Sequence, residues 1–193
     1  MTHDPRSWLA HLKLADVLRR TDRLERSLNH YRLVIELAPD QEEARFGEAM
    51  ALVRLGHYRE AQERLTVAMM VHPDQPAFPH ALARLLAAAP DDRVRDGQRA
   101  LDMVQTLEKV HKNTSVVETM AMALAEVGRF GQAAEWQRVA MSGAVRDGRS
   151  DVAQRMAANL ALYERQLPCR KPWRDDEPEH RPGPVVEPGL LDP

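Results

Sequence analysis

Two stretches decide the fold. Trp8 to Gln41 reads WLAHLKLADVLRRTDRLERSLNHYRLVIELAPDQ, and Glu42 to Gln75 reads EEARFGEAMALVRLGHYREAQERLTVAMMVHPDQ. They align without a gap over 34 residues. The first ends in Leu37-Ala38-Pro39-Asp40-Gln41 and the second in Val71-His72-Pro73-Asp74-Gln75. Within each, a break separates two helical patterns, at Thr21-Asp22 and at Gly56-His57. A single helix pair of this size cannot bury its own apolar face, so it must stack on a neighbour.

Composition supports helices throughout. The chain of 193 residues holds 26 Ala, 22 Leu and 23 Arg, against one Ile and six Thr. Strands favour β-branched and aromatic residues, so a β-rich fold is excluded. The patterns predict helices over 7–20, 24–38, 41–55, 58–71, 76–88, 97–111, 116–127, 130–144 and 150–167. Asp40 is the expected N-cap of the third helix. Ser115 with Glu118 has capping-box spacing, with Thr114 as a rival cap. Gly56 and Gly128 stand where a helix stops in the left-handed conformation. Pro39 and Pro73 lie just past helix ends, where a missing N–H does little harm. The last helix carries Val152, Met156, Leu160, Tyr163 and Leu167 at a period near 3.6, as suits a terminal helix with one buried face.

The pattern resembles the tetratricopeptide repeat, a helix pair of 34 residues with small and large apolar residues at fixed offsets. In the first unit the packing sites are Leu14, Ala15 and Leu18, then Ser27, Tyr31, Val34 and Pro39. In the second they are Ala49 and Leu52, with Glu48 where a leucine is usual, then Ala61, Leu65, Ala68 and Pro73. Gly56-His57-Tyr58-Arg59-Glu60-Ala61 is similar to the family's inter-helix turn. A third unit matches at Leu82, Ala83, Leu86, Ala100, Val104 and Leu107. It has about five extra residues within Pro90 to Gly97. A fourth matches at Met120, Ala121, Leu124, Ala133 and Ala140, without the closing proline. The segments Ala81 to Leu86 and Ala133 to Gln137 resemble the C-terminal block of bacterial tetratricopeptide proteins, as do the closing helix and Arg170-Lys171-Pro172-Trp173. The resemblance implies an all-α fold: a right-handed α-solenoid of about four helix-turn-helix repeats plus a C-terminal closing helix. Residues 1–7 are then an N-terminal extension and 8–167 the repeat domain, with its closing helix at 150–167. Residues 168–193 are a Pro-rich tail, expected to be disordered from about 175. Trp173 is a large apolar group that can lie against the body.

The resemblance also implies a concave groove lined by the first helices. The residues at the corresponding positions are Leu12, Asp16 and Arg19; Phe46, Met50 and Val53; His80, Arg84 and Ala87; Glu118, Met122 and Ala125. Phe46, Met50 and Val53 would anchor a peptide or partner helix, with Arg84 and His80 orienting a polar or acidic group. The alternative is that these side chains touch the neighbouring repeat. Family members that clamp a chaperone's carboxylate terminus use Lys and Asn. Here Leu12, Asp16, Met50, His80 and Arg84 stand at those sites and only Arg84 fits, so that recognition is not expected.

No catalytic constellation is legible, and no phosphate loop or nucleophile elbow occurs. One cysteine, Cys169, excludes an internal disulfide and any multi-cysteine metal site. His72 and His80 have no zinc-ligand spacing, and Asp91 to Gly97 lacks the alternating acids of a calcium loop. No cofactor or metal is expected. Trp8 and Trp136 read as core side chains. With 27 basic and 29 acidic residues the net charge is −2, which gives no reason to expect nucleic acid or an anionic membrane as partner. No leader segment is evident at Met1 to Arg6, so a cytoplasmic protein is expected. The first helix is apolar nearly all round, through Trp8, Leu9, Leu12, Leu14, Ala15, Val17 and Leu18. A terminal repeat needs a polar outer face. Either a homo-oligomer, another chain or additional N-terminal repeats cover it, or Trp8 and Leu9 fold over the end of the stack. The sequence therefore predicts a non-catalytic protein–protein interaction scaffold. The second reading is a self-assembling or accessory subunit that docks through its apolar N-terminal face onto a larger enzyme or secretion complex.

Overall fold

The structure, a computed structural model, describes residues 7–111, 113–175 and 177. These residues form α1 (Trp8–Arg20), α2 (Leu24–Leu37), α3 (Glu42–Arg54), α4 (Tyr58–Val71), α5 (Ala77–Ala88), α6 (Gly97–Val110), α7 (Thr114–Glu126), α8 (Phe130–Arg146) and α9 (Ser150–Glu164), with no strand among them. Two compact units divide them. One holds the residues up to Arg64 and those from Trp173 on; the other is Leu65–Pro172.

Five of the helices among the described residues end by one recurring device. Gly56 has φ +78°, and the N–H of His57 reaches back to the Leu52 carbonyl at 2.9 Å. Arg129 to Leu124, Arg149 to Ala144, Arg23 to Leu18 and Leu167 to Leu162 repeat that bond. Each caps carbonyls that a helix end leaves without partners. At two of the five ends the left-handed residue is not glycine: Asp22 has φ 61° and Gln166 φ 58°. The N-termini differ from expectation. Gln41, not Asp40, is the N-cap of α3, and its side chain makes no capping bond. Asn113, not Ser115 or Thr114, caps α7, accepting from the Val116 N–H at 2.9 Å. An amide one residue further back reaches the same orphan donor, so the helix starts earlier than 116.

The small residues fill the places that the repeat pattern gives them. Ala15, Ala49, Ala61, Ala83, Ala100, Ala121 and Ala133 are all fully buried. Without a bulky side chain they let helix axes approach to about 8–10 Å. In the first unit α1 and α2 enclose Leu12, Ala15, Tyr31, Val34 and Ala44, with Trp8 and Ile35 packed against them. The Ser27 hydroxyl, fully buried, donates to the Ala15 carbonyl at 2.9 Å. In the second unit α8 and α9 enclose Ala140, Ala144, Val152, Ala153 and Met156.

Two expected packing residues are not buried. Leu14 is 41% exposed. The helix turns its buried stripe through Leu12, Ala15, Leu18 and Arg19, which puts Leu14 with Leu9 and Val17 on the open side. Leu167 is also 41% exposed, because α9 stops at Glu164 and Leu167 lies beyond its left-handed turn. Most of the tail expected to be disordered, together with residues 1–6, lies outside the described residues. Its first part is packed: Cys169 and Trp173 are buried.

Candidate functional site

The first helices α1 and α3 place Asp16, Arg19, Phe46, Met50 and Val53. Asp16 and Phe46 are partly buried, while Leu12, Arg19, Met50 and Val53 are buried. Met50 has no exposed surface. The apolar trio expected to anchor a guest is therefore reduced to Phe46, because Met50 and Val53 belong to the packed interior. Asp16 and Arg19 are engaged with each other's neighbour. The Arg19 Nε donates to the Tyr31 hydroxyl at 3.0 Å, and that hydroxyl donates to Asp16. Burial, the largest cause, and the Asp16 carboxylate push the Tyr31 hydroxyl far above its usual range, while Arg19 pulls it down. It stays a neutral donor at any physiological pH.

Glu48, at the position of the usual leucine, is 4% exposed. The Arg32 Nε lies 3.1 Å from its Oε1 and the Arg64 Nε 3.4 Å from the same atom. Both arginines also reach Glu60. A buried carboxylate without such partners would carry a large desolvation cost. The sequence showed the oddity at Glu48. The balancing cations lie 16 residues on either side, too far apart for a motif.

In the second unit the first helices α5 and α7 place His80, Arg84, Glu118 and Met122. Arg84 is 1% exposed, Glu118 1% and Met122 1%. Ala87 and Ala125 are buried as well. As lining for an open groove these five are corrected: they are covered. Arg84 Nη2 sits 3.2 Å from Glu118 Oε2, and Nη1 donates to the Ser115 hydroxyl at 3.3 Å. The Arg84 Nε donates to the main-chain carbonyl of Pro172. Asn159 of α9 approaches the other Glu118 oxygen at 3.5 Å. The segment after α9 is tied down again by Arg170, which pairs with Glu126 of α7, itself held by Arg95 at 3.0 Å. The Cys169 thiol donates to the Lys171 carbonyl at 3.3 Å. Tyr163, 1% exposed, has a buried hydroxyl without a hydrogen-bond partner among the described residues. Burial, Cys169 and Glu118 push that hydroxyl well above its usual range.

His80 stays partly open at the edge of this network. Its Nε2 is 2.9 Å from the Thr119 hydroxyl, which donates its own proton to the Ser115 carbonyl at 3.0 Å. The neutral imidazole therefore carries its hydrogen on Nε2. Burial first, then the Arg84 charge, lower its pKa to about 4. His72, the other histidine considered as a ligand, stacks on Phe78 with ring centroids 5.7 Å apart. Among the described residues no three metal-capable side chains gather. None of their helices is long and apolar enough to cross a membrane.

A cleft of about 640 Å³ opens between α6, α7 and α8 of the same unit, lined among others by Glu108, Val117, Glu135, Trp136, Val139 and Arg146. Trp136 is only partly buried and forms part of this wall, which differs from the expectation of a core side chain. Its helical spacing from other apolar residues holds equally for a stripe at a helix boundary.

Comparison with known proteins agrees with this geometry. A tetratricopeptide repeat family model matches residues 18–85. A comparison with curated protein sequences gave no match. MamA, residue 41 to its end, from Desulfovibrio magneticus RS-1 has a similar structure, with a TM-score of 0.61 at 12% identity, covering 84% of this chain and 97% of that one. YrrB, described as a TPR protein with an unusual peptide-binding site, gives 0.58 at 19% identity, covering 85% and 94%. MamA of AMB-1 gives 0.56 at 14%, covering 80% and 98%. At such identities the likeness is one of fold. It is the all-α helical-repeat solenoid class expected from the 34-residue period.

Proposed function

We propose that this tetratricopeptide-repeat chain is a non-catalytic protein–protein interaction scaffold that takes a peptide or partner helix on its first helices. Supporting this reading is the fold itself: it is shared with YrrB, whose description names a peptide-binding site. Preformed helical surfaces lower the ordering cost of binding. In the N-terminal unit, α1 and α3 leave Asp16 and Phe46 partly open, the first for a polar contact and the second as an aromatic anchor. Affinity capture from the native lysate, comparing wild type with Phe46→Ala, tests this. Partner yield should fall at least about tenfold, the loss of one anchor contact of about 1.4 kcal/mol or more, with helicity unchanged. Equal capture by both proteins would overturn it.

A specific observation favours the second reading, a self-assembling or accessory subunit. Leu9, Leu14 and Val17 of α1 are each more than 40% exposed. They lie on one helix, between Leu9 and Val17. Sedimentation over a hundredfold concentration range tests self-association, which Leu14→Lys with Val17→Lys should abolish.

A further inference from the structure

We propose that residues 168–172 are an internal ligand of the α5–α7 face. That face is then a surface for an extended peptide main chain, occupied by the chain's own C-terminal segment and vacated when that segment lifts. The inference deepens the peptide-binding reading above and rests on it.

The geometry is that of recognition. Arg84 projects from α5 with its charge balanced by Glu118 of α7. Its Nε remains for a carbonyl, and Pro172 supplies one. A main-chain carbonyl is a feature of any extended peptide, so this contact selects backbone more than side chain. Arg170 adds a second hold through Glu126. Proline at 172 has no N–H to leave unsatisfied against the protein, and it restricts the preceding residue to extended conformations. Just before these two holds the thiol of Cys169 donates to the Lys171 carbonyl, and the cysteine is 3% exposed.

The internal occupant is also an incomplete one. The Tyr163 hydroxyl is buried beside Cys169 and Glu118 and has no partner among the described residues. A donor left unmet in the interior carries a cost of about 1–3 kcal/mol. A guest segment that places a carbonyl or carboxylate oxygen there, while keeping the contact to Arg84, binds with one bond more than the chain's own segment makes. Of the residues that the repeat pattern assigns to a groove, Arg84 is thus met by the chain's own C-terminal segment, through Pro172, while Arg170 of the same segment holds the end of α7 at Glu126.

The experiment uses the full chain and its single cysteine. Reaction of Cys169 with Ellman's reagent is followed in native buffer and in low urea. The probe is a synthetic peptide of residues 168–175 carrying Cys169→Ser, with a scrambled peptide as control. Labelling should run at least about tenfold faster than global unfolding permits, with a shallow urea dependence. It should accelerate in proportion to peptide concentration once the peptide competes for the vacated face, and the scrambled peptide should leave it unchanged. Labelling that follows the urea dependence of global unfolding overturns the proposal, because the segment is then inseparable from the fold. Fast labelling that the peptide does not accelerate overturns it too, because the opened face then has no affinity for such a segment. Equal lysate capture by wild type and Phe46→Ala, with peptide-accelerated labelling intact, would sink the scaffold reading alone.

Discussion

The Tyr31 ring packs directly against Gly47. A Cβ built on Gly47 would stand 2.3 Å from the Tyr31 Cζ and 2.8 Å from its hydroxyl oxygen. The glycine is what lets α2 bring this phenol to Asp16 and Arg19. Gly47→Ala must displace the ring and break that chain of bonds. We expect a loss of roughly 1–3 kcal/mol, as for overpacking generally. Urea unfolding, with its linear extrapolation, measures it; an unchanged midpoint would mean that the ring is not where we place it.

Gly56 presents the opposite case. Nothing lies within 4 Å of a Cβ built there, so space is not the issue. Its φ of +78° is. Gly56→Ala should cost roughly 1–2 kcal/mol from backbone strain alone. Conversely, Gln166→Gly, at φ 58° on the surface, should raise the melting temperature slightly. Both shifts are read by calorimetry.

Ala61 is fully buried on α4. Ala61→Leu inserts three carbons where a helix neighbour must sit, at a cost of about 1–3 kcal/mol. A melting temperature equal to wild type would count against the packing described above.

The Arg84–Glu118 pair should behave as buried ion pairs do. Removing one partner leaves the other charge stranded, so Glu118→Gln should destabilise by roughly 3–5 kcal/mol. The double variant Arg84→Met with Glu118→Leu should lose much less. A double-mutant cycle gives the coupling. A double-variant loss equal to the sum of the two single losses would show that the two do not act as a pair.

His80 makes stability depend on pH. Its folded pKa, about 4, lies below the unfolded value of 6.5. Between those values the unfolded chain binds more protons, so stability is full above about pH 6.5 and falls as pH drops towards 4. The loss from pH 7 to pH 5 is on the order of 2 kcal/mol. Unfolding measured at both pH values on wild type and His80→Gln should show that difference shrink in the variant.

How far the sequence reached depends on what carries each feature. The helices and their small-residue contacts were legible because period and residue size are local properties: Ala49, Leu52, Ala61 and Leu65 stand where the 34-residue register puts them. The open or covered state of the first-helix face was not legible. It depends on Pro172 meeting Arg84, 88 residues away in sequence. A carbonyl has no residue type to read. Leu14 misled for a related reason. It stands in register with Glu48 and Leu82, but burial at that register also depends on what is packed beside it. The cap of α7 was missed by two residues because Asn113, Thr114 and Ser115 can all accept an amide hydrogen.

Glu48 has a consequence for how this chain could have arisen or be rebuilt. Positions 14, 48 and 82 are equivalent by the 34-residue step, yet they hold leucine, glutamate and leucine. A modular array invites duplication, deletion and reordering of its modules. Here the second module carries an acid keyed to Arg32 on one side and Arg64 on the other. Transplanting the third module's first helix into that slot would leave two guanidinium groups facing a hydrocarbon. The order of these modules is thus written into the interior in charge, and shuffled versions of the chain should be selected against before any partner is consulted.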